Sequence, residues 1–244
     1  MKPDARDRLV VALDVGSAAE AESWVARLGD AVLWYKVGLE LFIAAGPELV
    51  TRLKAQGKHL FLDLKLHDIP NTVARAAWRA AQLGVDLIDL HVTAGEEALR
   101  AAAERVREAC PAAARPRLLG VTVLTSTRSL AGEPLTAAEL AAEAGRRAAR
   151  AAAAGLDGVV APVSAAEAVR AAGGADFLLL TPGIRPRGAA RGDQQWIATP
   201  AEAVRAGARW LVVGRPITAA ADPLRAVQTI LAEMEQAGTA GRHV

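Results

Sequence analysis

The sequence predicts an α/β protein folded as a single (β/α)8 TIM barrel, and three observations support this prediction. Short apolar runs alternate with longer stretches rich in alanine, glutamate and arginine, which is typical of parallel βα units. About eight such units follow one another without a linker, and the length of 244 residues is usual for one barrel. We therefore expect one domain over residues 1–244, with the barrel at about 9–236. A doubly wound open sheet is the structural alternative.

The apolar runs are the candidate strands, and most of them lack alternation of apolar and polar residues. Continuous apolar runs are expected where helices cover both faces of a parallel sheet, so an antiparallel sandwich is disfavoured. Between the runs, Asn71-Thr72 indicates the start of a helix, and Gly84, Gly155 and Gly207 indicate helix ends. In chain order the candidate strands are Leu9–Asp14, Leu33–Gly38, His59–Lys65, Asp86–Val92, Arg117–Leu124, Gly158–Pro162, Phe177–Gly183 and Arg209–Arg215.

The composition fits a globular protein that acts on a small anion. The formal net charge is only +2 and basic residues form no block, which argues against nucleic-acid binding. Cys110 is the only cysteine, so an internal disulfide and a thiolate metal cluster are excluded. No run approaches the roughly 18 apolar residues of a membrane span, and Asp14 interrupts the first apolar stretch before it could form a signal-peptide core. We expect a cytoplasmic protein without membrane or nucleic-acid partners.

Polar residues late in the apolar runs are the candidate active-site residues, because barrel active sites lie at the C-terminal ends of the strands. The chain has only five lysines, and two of them, Lys36 and Lys65, fall at such positions. An ammonium group exchanges protons with a tunable pKa, whereas a guanidinium stays protonated, so these lysines favour proton transfer. The full set of candidates at strand ends is Asp14, Lys36, Asp63, Lys65, His91, Thr122, Thr125, Gly214 and Arg215.

The densest group of candidates is the segment 63–72, with the sequence DLKLHDIPNT. Along an extended strand Asp63 and Lys65 point to the same face, and Asp68 follows in the loop. Two carboxylates are therefore expected to flank one ammonium group. Attraction between opposite charges about 4 Å apart is on the order of 4 kcal/mol at an effective dielectric constant of 20, so the group should stay ionised at neutral pH.

The segment 181–196, TPGIRPRGAARGDQQW, predicts a long loop after the seventh strand. Loops of this length in compact domains are uncommon unless they are functional or disordered, so we interpret it as a mobile lid, with a plain surface loop as the alternative. The loops after strands seven and eight commonly bind phosphate in barrels. Arg215 could bind a phosphate bidentately, and the backbone N–H groups after Gly214 would face the same anion. These features predict a phosphomonoester substrate.

A divalent metal site is the alternative at the same mouth. Asp14, Asp63, His67 and His91 could converge on an ion in a barrel. Two lysine ammonium groups in that mouth would repel a cation, however. We therefore expect neither a metal nor an organic cofactor.

The chain resembles the orotidine 5′-phosphate decarboxylases of the bacterial type. The resemblance extends from about Val11 to Pro223, and the motifs that carry it, in order, are VALDV, YKVGLELF, FLDLKLHDIPNT, VTVLTS, TPGIRP, GDQ and VVGRPI. It implies a cofactor-free conversion of orotidine 5′-phosphate to uridine 5′-phosphate and CO₂, the last step of de novo UMP biosynthesis.

The resemblance also implies roles for individual residues. At the reacting end, Asp14 and Lys36 would contact the ribose hydroxyls, while Asp63 and Lys65 would face the reacting carbon and its carboxylate. Lys65 would stabilise the developing carbanion and protonate it, and Asp63 would disfavour the substrate carboxylate. The remaining substrate contacts would come from Thr125 and the adjacent Ser126 to the pyrimidine, Gln194 between base and phosphate, and Arg185, Gly214 and Arg215 around the phosphate.

A homodimer is implied as well, in which Asp68, Ile69 and Thr72 reach into the partner's active site. The partner subunit's Asp68 and Lys36 would then complete an alternating charge array around Lys65. Two other functions are left open. One is a magnesium-dependent sugar-phosphate enzyme of the same suprafamily, in which an acidic residue is expected at the position of Lys36. The other is a catalytically silent barrel that binds a nucleotide.

Overall fold

The computed structural model describes residues 4–130, 133–188, 192 and 194–240. Its strands are β1 (Leu9–Leu13), β2 (Trp34–Gly38), β3 (His59–Leu66), β4 (Leu87–His91), β5 (Arg117–Val121), β6 (Ser129–Leu130), β7 (Glu133–Pro134), β8 (Gly158–Val160), β9 (Leu178–Thr181) and β10 (Trp210–Val213). Strands β6 and β7 form a short antiparallel pair outside the barrel. The other eight are parallel and close in the order β1-β10-β9-β8-β5-β4-β3-β2. The predicted barrel is confirmed, and the open sheet is excluded because β1 pairs with both β2 and β10.

Each predicted strand coincides with a barrel strand, and the differences lie at the ends. The fifth run was predicted to reach Leu124 but leaves the sheet after Val121, and the sixth leaves after Val160. Thr122 and Ala161 still donate backbone hydrogen bonds to the neighbouring strands, and Val123 and Leu124 beyond the fifth strand line a cavity at the mouth of the barrel. The β6–β7 pair has no counterpart among the predicted strands.

Helices cover the outside of the barrel. They are α1 (Ala18–Leu28), α2 (Leu39–Ala55), α3 (Pro70–Ala81), α4 (Glu96–Ala109), α5 (Ala137–Ala153), α6 (Ala166–Gly173), α7 (Pro200–Arg205), α8 (Arg215–Thr218) and α9 (Pro223–Ala240). Short 3-10 turns occur at Ala5–Asp7, Gly29–Ala31, Val92–Ala94, Ala112–Ala114 and Val163–Ala165. None of the helices in the described part of the chain is long and apolar enough to cross a membrane.

The helix boundaries follow local signals in the sequence. Helix α5 begins with a capping box in which Thr136 and Glu139 bond to each other's backbone N–H groups. The predicted ends at Gly84, Gly155 and Gly207 fall just after α3, α5 and α7. The predicted start of α3 at Asn71-Thr72 is one residue late, because the helix begins at Pro70, whose fixed φ suits the first helical position.

Two apolar cores hold the barrel together. The larger lies between the strands and the helices. The smaller fills the inside of the barrel, where Val10, Trp34, Phe61, Leu119 and Trp210 are among the buried side chains. Successive residues of a strand point to opposite faces of the sheet. A residue two positions after an inward-pointing core residue therefore also points inward, and near the end of a strand it lies at the mouth. This alternation places the polar residues of the mouth directly above the inner core.

Candidate active site

Two adjoining cavities open at the mouth formed by the C-terminal ends of the strands. Their volumes are about 400 and about 270 Å³. The larger reaches Asp14, Arg185 and Arg215, and the smaller reaches Asp63 and Lys65. The two cavities share the side chains Lys36, Thr125, Pro182, Gln194 and Val212. The sequence candidates on β2 and β3, and those that follow β1, β5, β9 and β10 and line these cavities, are therefore brought to one site.

A chain of alternating charges lies on one wall of this mouth. Lys36 Nζ donates a hydrogen bond to Asp14 Oδ1 at 2.8 Å and lies 3.3 Å from Asp63 Oδ2. The other oxygen of Asp63, Oδ1, accepts a hydrogen bond from Lys65 Nζ. Lys36 is thus the ammonium group that two carboxylates flank within this chain, whereas the sequence had suggested that position for Lys65.

The strand register explains why these side chains meet. Lys36 on β2 is level with Ala12 on β1 and Phe61 on β3, both of which belong to the inner core. Asp63 follows Phe61 by two residues and so points inward one layer higher. Gly38 leaves room for the array, since a Cβ there would lie only 2.9 Å from Lys36 Nζ. No signal in the sequence alone indicates this role of Gly38.

Lys36 and Asp63, the two central groups of the array, stay ionised near neutral pH. Burial acts to lower the pKa of Lys36, but the neighbouring Asp63 and Asp14 outweigh it and raise that pKa above its ordinary value. For Asp63 burial acts to raise the pKa, but Lys36, a hydrogen bond with Asp89 and Lys65 outweigh burial and lower it to about 2. Of the three groups of the segment 63–72 that were expected to be ionised, the shift supports this for Asp63.

The backbone at Lys65 departs from a regular strand. Its φ is 49°, and it is the only non-glycine residue with a positive φ in the described ranges. The pairing of β3 with β4 shifts register between Leu62 and Leu66, which marks a bulge at this point. A left-handed conformation costs a non-glycine residue roughly 1–2 kcal/mol. The surrounding structure must therefore hold Lys65 in place.

Asp89 on β4 supplies such a contact and was missed from the sequence. Its Oδ1 accepts a hydrogen bond from the backbone N–H of Lys65 at 2.8 Å, and the residue is 1% exposed. Burial and the charge of Asp63 raise the pKa of the Asp89 carboxyl well above its ordinary value. The available signal was an aspartate in the middle of the apolar run DLIDLHV, at an inward position two residues after Leu87.

The far side of the mouth carries arginine side chains. Arg185 and Arg215 both line the larger cavity, and burial together with the charge of Arg215 lowers the pKa of Arg185. Two like charges this close favour an anion between or beside them. The expectation about backbone N–H groups after Gly214 is only partly met. Pro216 has no N–H, and the N–H groups of Ile217 and Thr218 donate to the carbonyl oxygen of Gly214.

The loop after β9 is tied down at both ends. Arg185 N–H donates to Ala198 O at 2.8 Å, so the two ends of the loop lie side by side. The C-terminal end is also fixed to the segment after β5, where Trp196 Nε1 donates to Thr127 O at 2.9 Å. Near the centre, a Cβ on Gly192 would lie 3.0 Å from the Arg215 guanidinium, so this glycine allows the loop to approach Arg215 closely. The predicted lid includes residues 189–191 and 193, which lie outside the described residues.

Thr125, Ser126 and Gln194, which the resemblance assigns to contacts with the base, all line the cavities at the mouth. Thr125 Oγ1 donates a hydrogen bond to Gln194 Oε1. Thr125 is buried and Ser126 is exposed, and both line the smaller cavity. Gln194 lines both cavities, which fits a contact that bridges the base and phosphate ends.

The remaining candidates of the segment 63–72 line neither of the two cavities. Asp68, Ile69 and Thr72 are all exposed. Asp68 Oδ1 accepts the N–H of Ile69 at 2.6 Å, and among the described residues it forms no ion pair with Lys65. Ile69 is 66% exposed, which is high for a large apolar side chain.

The four residues considered for a divalent metal site, Asp14, Asp63, His67 and His91, do not form a cluster of metal ligands in the structure. The rings of His67 and His91 lie 5.4 Å apart, but Asp14 and Asp63 are engaged by lysine. In the part of the chain that the structure describes, no three His, Cys, Asp or Glu side chains are arranged to hold a metal ion.

Comparisons with known proteins agree on one family. The sequence model described as "Orotidine 5'-phosphate decarboxylase / HUMPS family" matches residues 7–230. The orotidine 5′-phosphate decarboxylase of Halorhodospira halophila is 52% identical over 232 residues, which cover 95% of this chain and 97% of the relative. That of Moorella thermoacetica is 48% identical over 235 residues, covering 95% of this chain and 93% of the relative. The crystal structure of the enzyme from Lactobacillus acidophilus is similar with a TM-score of 0.79 at 36% identity, covering 93% of this chain and 99% of that one.

Proposed function

This chain belongs to the orotidine 5′-phosphate decarboxylase / HUMPS family, and on that premise we propose that it converts orotidine 5′-phosphate to uridine 5′-phosphate and CO₂ in pyrimidine biosynthesis. The observation that carries the proposal is the charge array at the mouth. Each oxygen of Asp63 faces one ammonium group, Lys36 on one side and Lys65 on the other. The reaction requires a cation at the carbon that loses CO₂, and Lys65 provides one.

The chemistry follows from the charge that the reaction generates. Loss of CO₂ from C6 of the pyrimidine leaves an electron pair in an sp² orbital that the ring does not delocalise. Lys65 stabilises this carbanion and transfers a proton to C6, while Asp63 disfavours the carboxylate that leaves. No organic cofactor or metal enters this proposal, because the ammonium group supplies both the positive charge and the proton.

The phosphate end contributes the remaining stabilisation. One ion pair is worth a few kcal/mol, whereas enzymes lower barriers by about 8–23 kcal/mol. Arg185, Gly214 and Arg215 line the phosphate pocket in this proposal, and Gln194 spans it and the base. Binding energy gained at the phosphate is used to close the loop over the substrate and to exclude water from the reacting carbon.

A sugar-phosphate enzyme is the rival function within the same family. Such an enzyme would use magnesium and would have an acidic residue at position 36. Here Lys36 places an ammonium group 3.3 Å from Asp63, where a bound cation would be repelled. Lys36 therefore supports decarboxylation of the nucleotide.

We further propose that the chain acts as a homodimer in which the partner subunit's Asp68 completes the array. Support comes from exposed large apolar side chains on the segments that follow β2 and β3, namely Leu39, Ile43 and Ile69, which are 50%, 81% and 66% exposed. Leu39 and Ile43 lie one turn apart on α2, so they share a face. Asp68, next to Ile69, is exposed and so positioned to reach beyond its own barrel. Thr72, in the first turn of α3, belongs to the same proposed contact.

The proposed activity is tested by mixing the purified protein with orotidine 5′-phosphate and following the loss of pyrimidine absorbance. We expect full turnover after exhaustive chelation. A magnesium requirement would favour the sugar-phosphate enzyme, and binding of the nucleotide without turnover would favour a silent barrel. The single domain over 1–244 and the cytoplasmic location stay predictions.

The shared site is tested by mixing two variants that are each inactive, Lys65→Ala and Asp68→Ala. After subunit exchange, half of the dimers are mixed, and each contains one site with both Lys65 and the partner subunit's Asp68. About a quarter of wild-type activity should therefore return. If the mixture stays inactive although exchange is shown by mass spectrometry, Asp68 acts within its own barrel and the dimeric site is wrong.

A further inference from the structure

Asp89 is a buried titratable group to which the proposed chemistry assigns no role. Its Oδ1 accepts the backbone N–H of Lys65 at 2.8 Å. Its Oδ2 is fully buried, and within the described residues no N–H or other donor group reaches it. A buried carboxylate oxygen without a donor is strongly disfavoured, so this oxygen must carry a proton of its own.

That proton has an acceptor beside it. The carboxyl groups of Asp63 and Asp89 lie within hydrogen-bonding reach of each other. Two carboxyl groups in such contact do not both ionise, and one of them keeps its proton. The ammonium groups of Lys36 and Lys65 stabilise the charged form of Asp63. Asp89, by contrast, is buried inside the barrel. The proton therefore belongs to Asp89, and the hydrogen bond runs from Asp89 to Asp63.

We propose that Asp89 is a positioning residue that acts as a neutral carboxylic acid: one oxygen holds the backbone of Lys65 in its left-handed conformation, and its hydroxyl orients Asp63. One side chain thereby fixes both members of the Asp63–Lys65 pair. If the contact to the Lys65 N–H were lost, the backbone would be free to relax toward a regular strand, and the ammonium group would move away from the reacting carbon.

This inference rests on the proposed decarboxylation. The first experiment compares the kinetics of the Asp89→Ala and Asp89→Asn variants. Alanine removes both contacts, so kcat should fall by about 10²-fold, the effect of a misplacement of about 1 Å. KM and the affinity for the product uridine 5′-phosphate should change only a few-fold, because Asp89 does not line the phosphate or base pocket. Asparagine can accept from Lys65 N–H and donate to Asp63, so Asp89→Asn should recover most of the kcat.

Asp86→Ala is the matched control. The Asp86 carboxylate accepts a hydrogen bond from the backbone N–H of Leu60 at 2.8 Å. Like the contact from Asp89 to Lys65, it joins an aspartate of the β4 region to the backbone of β3, but at the opposite end of the barrel. This variant should lose stability without a comparable loss of kcat. The proposal is overturned if Asp86→Ala lowers kcat as much as Asp89→Ala. It is also overturned if Asp89→Asn is as impaired as Asp89→Ala, since Asp89 would then act as a charge.

A second experiment needs no substrate and so separates this inference from the proposed function. In the unfolded chain Asp89 releases its proton above a pH of about 4, whereas the folded protein keeps it. Folding of the wild type then takes up a proton, and its stability falls as pH rises above that value. Asp89→Asn has no such proton, while Asp63 and Lys65, the charged neighbours on β3, are the same in both proteins. The Tm of Asp89→Asn relative to wild type should rise between pH about 4 and 7, and a constant difference would contradict a neutral Asp89.

Discussion

The two ends of the mouth are built on opposite electrostatic principles. At the reacting end, opposite charges alternate from Asp14 through Lys36 and Asp63 to Lys65, and the two central groups are 9% and 8% exposed. At the end proposed to bind phosphate, Arg185 and Arg215 carry like charges, and burial together with the charge of Arg215 lowers the pKa of Arg185. The reacting end is therefore organised before the substrate arrives. The phosphate end is suited to gain free energy when an anion binds.

This difference predicts how the two ends respond to mutation. Groups that hold each other in place act as a unit, so removal of one disables the others. Groups that bind an anion should contribute in proportion to the contacts that are lost.

The largest effect is expected for Lys65→Ala. The variant loses both the proton donor and the charge that faces the carbanion, and each of these contributes 10²-fold or more. We expect kcat to fall by at least about 10⁴-fold, measured by single-turnover absorbance with excess protein. Binding of uridine 5′-phosphate by calorimetry serves as the control and should be nearly unchanged. Undiminished turnover would show that the reacting end lies elsewhere.

A smaller effect is expected for Arg215→Ala. Loss of a charge-assisted contact to phosphate costs about 1.5–3 kcal/mol, which corresponds to roughly 10- to 150-fold in kcat/KM. We expect part of this loss in kcat, because phosphate binding helps to close the loop that contacts Arg215. The nucleoside orotidine, which lacks the phosphate, is the matched control substrate, and its slow turnover should be equal in both proteins. An unchanged kcat at saturating orotidine 5′-phosphate would break the proposed coupling between the two ends.

The contrast also explains what the sequence could and could not predict. The strands and the positions of Asp14, Lys36, Asp63 and Lys65 follow from apolar runs and from the rule that barrel sites lie at strand ends. The left-handed backbone of Lys65 does not follow from any local signal, because the two-residue alternation predicts a regular strand there.

Asp89 is a second residue whose role could not be predicted from the sequence. Its place in an apolar run could be read from the sequence, but its partner could not. The hydrogen bond to Lys65 N–H joins residues on different strands, and it depends on the bulge that shifts the register of β3 against β4. The proposed role of Asp68 is a third case, because it comes from the family resemblance, and a contact with a second subunit would not be visible in the pattern of one chain.

The smallest effect is expected at the junction between the two ends, for Thr125→Val. This change keeps the shape of the side chain but removes the hydrogen bond from Thr125 Oγ1 to Gln194 Oε1. A neutral hydrogen bond contributes about 0.5–1.5 kcal/mol, so kcat/KM should fall roughly 2- to 12-fold. The backbone contacts from Gln195 and Trp196 to Thr125 O are untouched, so the loop should keep its anchor and thermal stability should hardly change. Because Gln194 lines both cavities, the effects of Thr125→Val and Arg215→Ala on kcat/KM should be non-additive in the double variant. Strictly additive effects would mean that the two ends work independently.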